Sequence, residues 1–198
     1  MKFLIIFLVL FGAKHSFSDD KILIIGDSLT EGYGVDKKYS YPSVLQDLLD
    51  KNNLKYKVIN GGVSGSTTAS GKSRLKWFLK SKPKILILAL GANDGLRGFK
   101  VSESKKNLEE TIKLAKENKL IIFLAKMQMP PNYGKEYLAE FSDMFNEIIS
   151  TMKVKEIPFI LEGVAGNKAL NIEDGIHPNR EGYKIIGTNL FNVLKEHL

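Results

Sequence analysis

Ser28 stands in Gly26-Asp27-Ser28-Leu29, directly after the apolar run 21–25 (KILII), and far along the chain Asp174 and His177 sit in Asp174-Gly175-Ile176-His177-Pro178. A serine hydroxyl is a weak nucleophile until a base takes its proton, and the base works best when a third group fixes its tautomer. An Asp and a His separated by two residues can meet within one turn of loop, which leaves the second imidazole nitrogen free to face a hydroxyl. Pro178 disfavours the α region for His177 and biases it toward an extended conformation that projects from the loop. The histidines are His15, His177 and His197; the first lies in a leader-like segment and the last beside the C-terminus, so elimination leaves His177 as the candidate base.

Chemistry at a carbonyl also needs donors aimed at the developing oxyanion. The run 85–90 (ILILAL) leads directly into Gly91-Ala92-Asn93-Asp94, so Asn93 offers an amide at a strand end. The run 58–60 leads into Gly61-Gly62-Val63-Ser64-Gly65-Ser66, where Gly65 is the candidate backbone donor and Gly61 and Gly62 read as turn residues. Each feature has a plainer alternative: Ser28 or Asp27 as a helix cap, Asp-x-x-His as a surface turn, the glycine loops as ordinary strand-to-helix connections. The convergence of these loops on one sheet edge points to a site, because open α/β sheets bind ligands outside the carboxyl ends of their strands.

These residues, in this order, resemble the SGNH hydrolases of the GDSL family. The resemblance implies a catalytic triad of Ser28, Asp174 and His177 and an oxyanion hole formed by Ser28, Gly65 and Asn93. It extends through 91–99, 131–134 and 174–179, and so implies substrate-binding roles for Asp94, Gly95, Leu96, Arg97, Phe99 and Ile176, with 95–99 as a substrate-responsive loop. Two positions depart from the most similar members: Ala92 replaces a second glycine before the Asn, and Ser66 replaces an acidic residue after the oxyanion glycine. The implied activity is hydrolysis of carboxylic esters and thioesters of acyl chains, lysophospholipids among them, through an acyl-enzyme on Ser28, with no cofactor and no metal. Leu96, Phe99, Met127, Met129 and Pro130 are candidates for an apolar acyl groove, although Met and Phe are as often core residues.

The elements that must position this chemistry alternate along the chain. Strands are expected at 21–25, 56–60, 85–90, 120–125 and 158–161, and helices at 41–52, 69–79, 102–117, 135–152 and 180–196, with Asn179 capping the last. Strands separated by helices imply a five-stranded parallel sheet covered on both faces, a three-layer α/β/α sandwich of flavodoxin-like type.

At 198 residues with 43% hydrophobic content, the chain supports one domain, expected to act as a monomer. A basic start, an apolar run over 3–13 and small residues at 16 and 18 predict a signal peptide over 1–18, leaving a hydrolase domain at 19–198, exported and periplasmic; an uncleaved anchor is the alternative. No membrane-spanning segment is expected after cleavage. The absence of cysteine excludes disulfides and lipoprotein attachment, and the two histidines outside that leader form no ligand cluster for a metal. The net charge of +7 falls to +5 without Lys2 and Lys14; the lysines read as a solvated surface, so no nucleic-acid partner is expected. The rival functions are a carbohydrate acetylesterase with the same site and a flavodoxin-like phosphate binder. The binder is opposed by the lack of G-x-G-x-x-G and P-loop patterns and gives Asp174 and His177 no role.

Overall fold

The computed structural model describes residues 20–198; the expected signal segment 1–18 lies outside the described residues. The aliphatic runs pair side by side as a parallel sheet in the order β2-β1-β3-β4-β5, with β1 at Asp20–Gly26, β2 at Tyr56–Gly62, β3 at Ile85–Ala89, β4 at Ile121–Ala125 and β5 at Lys155–Ile157. Ile22 to Ile25 and Ile85 to Leu88 have no solvent exposure, as expected of central strands covered on both faces. After β1 the chain runs to one side to form β2 and then returns to the other side for β3, so the order reverses between β1 and β3. At such a switch point the connections diverge and leave a crevice outside the strand ends.

The helices lie in two layers. α2 (Tyr41–Lys51) packs on α7 (Arg180–Leu194) on one face, while α3 (Gly71–Phe78), α5 (Val101–Glu117) and α6 (Lys135–Met152) pack in succession on the other. Asn179 caps α7, accepting the Glu181 and Gly182 N–H groups. Two short helices complete the sheet's C-terminal edge: α1 at Ser28–Glu31 and α4 at Ala92–Leu96.

The structure departs from the sequence pattern in ways that have local causes. The fifth strand is Lys155–Ile157 rather than 158–161. It is an edge strand with Lys155 and Glu156 exposed, so it lacks the apolar signature, and Pro158 has no N–H for a ladder. The apolar residues after it turn away instead, and Phe159 and Leu161 line a cleft. Gly61 and Gly62 are strand residues, paired with Ile25 and Gly26. A Cβ on Gly62 would lie 2.1 Å from the Glu31 nitrogen, so glycine there lets α1 settle directly onto β2. The helix expected at 69–79 is a 3-10 turn at Thr68–Ser70 followed by α3.

Leu88 is fully buried in β3, so Leu88→Ala is expected to cost about 3 kcal/mol in a urea titration without a change of fold.

Candidate active site

Ser28 is the first residue of α1, and Asp27, its N-cap, accepts the Leu29 N–H at 3.0 Å. This short helix starts immediately at the end of β1, which holds the hydroxyl over the crevice instead of in a flexible loop. Asn93 enters in the same way: Gly91 turns the chain at φ 125° and α4 begins at Ala92. Since Gly26 pairs with Ala89 across β1 and β3, the two helices start as neighbours. The Asn93 amide lies 3.4 Å from the Asp27 carboxylate and donates to the Ser66 carbonyl at 3.0 Å.

His177 arrives from the opposite end of the chain on a tight loop. Asn171 pairs with Pro178, the Ile172 N–H donates to the His177 carbonyl at 2.8 Å, and Gly175 takes φ 70° at the turn. Asp174 uses one oxygen to accept the Ile176 and His177 N–H groups, both at 2.9 Å, and the other to accept the His177 Nδ1–H at 2.6 Å. With Nδ1 donating, Nε2 is the acceptor, and it lies 2.8 Å from the Ser28 Oγ. Partial burial pushes the Asp174 carboxyl up, but the bonds from His177 and Ile176 outweigh it and hold the group down at about 2. Asp174 is therefore ionised at neutral pH. Tyr33 lies against the imidazole with ring centroids 4.6 Å apart, and the buried Tyr183 donates to the Tyr33 carbonyl at 3.1 Å.

A cleft of about 690 Å³ opens at these residues. Ser28, Gly65, Asn93, Leu96, Ile176 and His177 all line it, together with Met129, Pro130, Phe159 and Leu161. Gly65 takes φ 75° in the loop after β2. Asp94, Gly95, Arg97 and Phe99, also expected to meet substrate, do not line it. Asp94 is 2% exposed and ties α4 to its surroundings by accepting the Thr68 N–H at 2.9 Å and the Thr68 and Ser104 hydroxyls. Gly95 packs under Met129, Arg97 donates to the Gly65 carbonyl at 3.2 Å, and Phe99 and Met127 are outside the lining. The 96–99 backbone is held in this structure by Tyr133 and Tyr137, whose hydroxyls donate to the Leu96 and Phe99 carbonyls.

Several participants carry no sequence signal. Tyr33 and Phe159 look like any other aromatic. Arg74 reaches from α3 to donate to the Gly26 carbonyl at 2.9 Å and the Ser66 hydroxyl at 3.1 Å, and its Nη2 is buried without a partner among the described residues. No group of three or more His, Cys, Asp or Glu side chains capable of holding a metal occurs among the described residues.

A hydroxyl, imidazole and carboxylate in line, beside an amide and a glycine loop at the switch point of a doubly wound sheet, define a hydrolase of the serine type. The GDSL-like Lipase/Acylhydrolase family model matches residues 24–185. An arylesterase of Vibrio mimicus is 36% identical over 98% of this chain and 97% of its own length. The thioesterase 1/protease 1/lysophospholipase L1 of Escherichia coli is 33% identical over 94% of this chain and 87% of its own. The crystal structure of the psychrotrophic esterase EstA from Pseudoalteromonas superposes with a TM-score of 0.86 at 31% identity, covering 90% of this chain and 98% of that one. The chain belongs to the GDSL/SGNH family of ester-hydrolysing enzymes.

The buried Asp27 gives the site a pH signature. Desolvation pushes its carboxyl up from 3.8 to about 6, against the Leu29 N–H bond and the charges of His177 and Arg74. Between those two values the folded chain keeps a proton that the unfolded chain has lost. The contribution of Asp27 to stability therefore declines as pH rises from about 4 to about 6, by at most about 3 kcal/mol. Asp27→Asn, which keeps an oxygen for the Leu29 N–H, is expected to flatten that slope in a series of thermal melts.

Proposed function

We propose that the enzyme hydrolyses carboxylic esters and thioesters of acyl chains, lysophospholipids among them, through an acyl-enzyme on Ser28. The observation that carries this reading is the continuous line from the Asp174 carboxylate through His177 to the Ser28 hydroxyl, with contacts of 2.6 and 2.8 Å. In the proposed reaction Ser28 Oγ attacks the carbonyl carbon as its proton passes to His177 Nε2. The imidazolium forms beside an ionised Asp174, which stabilises it. The carbonyl oxygen gains negative charge and is met by the Ser28 and Gly65 N–H groups and the Asn93 amide. Collapse expels the alcohol or thiol, which takes the proton from His177. Water then attacks the acyl carbon, with His177 again as base, and releases the acid.

The cleft walls support an acyl chain as the group bound. Leu96, Met129, Pro130, Phe159, Leu161 and Ile176 offer apolar surface, whereas an acetylated sugar would need a wall of hydrogen-bonding groups. Burial of each CH₂ is worth about 0.8 kcal/mol, so activity should rise with chain length until the wall is covered. We further propose that the chain is exported to the periplasm by the signal segment 1–18 and acts as a monomer at 19–198. No helix among the described residues is long and apolar enough to cross a membrane.

The test is hydrolysis of p-nitrophenyl esters graded from acetyl to palmitoyl. Ser28→Ala is expected to lose activity by at least about 10³-fold, and Asn93→Ala to lower kcat by about 10²-fold. A maximum at medium or long chains supports the acyl reading; a maximum at acetyl with turnover of acetylated sugars replaces it by the acetylesterase reading. Full activity in Ser28→Ala rejects both.

A further inference from the structure

Glu31 ends the short helix that Ser28 begins, and none of the hydrolytic steps above uses it. Its carboxylate accepts the Ser64 N–H at 2.8 Å and also the Ser64 hydroxyl. These two bonds, the hydroxyl's first, hold the Glu31 carboxyl below its ordinary range. On the other side of Gly65, Arg97 from the end of α4 donates to the Gly65 carbonyl at 3.2 Å. The Gly65 N–H belongs to the peptide group that lies between these two anchors. Peptide planes are rigid, so tying the preceding N–H to α1 and the following C=O to α4 sets the direction in which that middle N–H points. Gly65 has no side chain with which to fix itself, and its φ of 75° is one that glycine adopts freely.

We propose that Glu31 and Arg97 are positioning residues that together aim the Gly65 N–H at the oxyanion, resting on the oxyanion hole proposed above. The arrangement gives the three donors a common frame. Ser28 stands on α1, Asn93 on α4, and the Gly65 peptide is clamped between those same two helices. Arg97 then serves the reaction through the loop rather than by touching substrate. Sequence reading overlooks Glu31 because an acid at the end of a one-turn helix looks like a solvated residue.

The experiment compares Glu31→Ala, Glu31→Gln, Arg97→Ala and the double variant E31A/R97A with the unaltered enzyme on p-nitrophenyl butyrate, with a thermal melt of each. Glu31→Ala and Arg97→Ala are each expected to lower kcat by about 10- to 100-fold with KM changed by less than about twofold, because displaced donors weaken transition-state binding alone. Glu31→Gln, which keeps an acceptor oxygen for the Ser64 N–H, is expected to recover most of kcat. The double variant should lose less than the product of the single losses, since one peptide is the target of both. An unchanged kcat in Glu31→Ala, a loss confined to KM, or a loss that follows a fall in Tm overturns the proposal. Ser28→Ala in the same plate separates the two levels: if it is inactive, such a result rejects the positioning role alone, and if it turns over normally, the serine reading itself has failed.

Discussion

The pairing of β1 with β3 is the constraint from which the site follows. Gly26 opposite Ala89 sets the ends of two buried strands level, and each strand passes at once into a short helix. Ser28 and Asn93 therefore stand beside one another without any long connection to order, and the entropy of fixing them is offset by the same burial that forms the sheet. A slip of one residue in this register would turn every central aliphatic side chain to the other face. The core thus enforces the geometry of the crevice.

Placing Ser28 there has an electrostatic cost. Asp27 caps α1 at 1% exposure, and its carboxyl is pushed up to about 6 by burial. What tolerates it is local: the Leu29 N–H, the Asn93 amide, and the charge of Arg74 below the same loop. Arg74 itself leaves one nitrogen without a partner among the described residues, a second sign that polar groups under the glycine loop are held in place at some cost to stability. The imidazole side is simpler. Three bonds within 174–177 orient His177 before substrate arrives, and Tyr33, held by Tyr183, supports its ring.

The central strands, the long helices and the residues with reactive groups were legible because each carries a strong local signal. Unbroken aliphatic runs mark buried parallel strands, and α6 begins and ends where its 3.6-residue periodicity does. The edge strand β5 was not legible, since an edge needs no apolar face and this one is charged. The glycines at 61 and 62 looked like turn residues; the seat of α1 on β2 explains Gly62, and a Cβ on Gly61 would lie 2.7 Å from the Ile24 carbonyl oxygen. Asp94 matches a substrate contact by its place in the motif, yet it is buried and holds α4 to Thr68 and Ser104.

By itself the sequence determined the fold class and the loops that bear Ser28, Asn93, Asp174 and His177, because hydrophobic period and residue type are local properties. It could not determine which side chains share a space. That Glu31 and Arg97 reach the two sides of Gly65, that Arg74 lies under the loop, and that Phe159 and Leu161 form the cleft wall while Phe99 does not, are consequences of packing. Such contacts join residues tens of positions apart, and only the folded chain, by excluding water and filling its core, decides which of them meet.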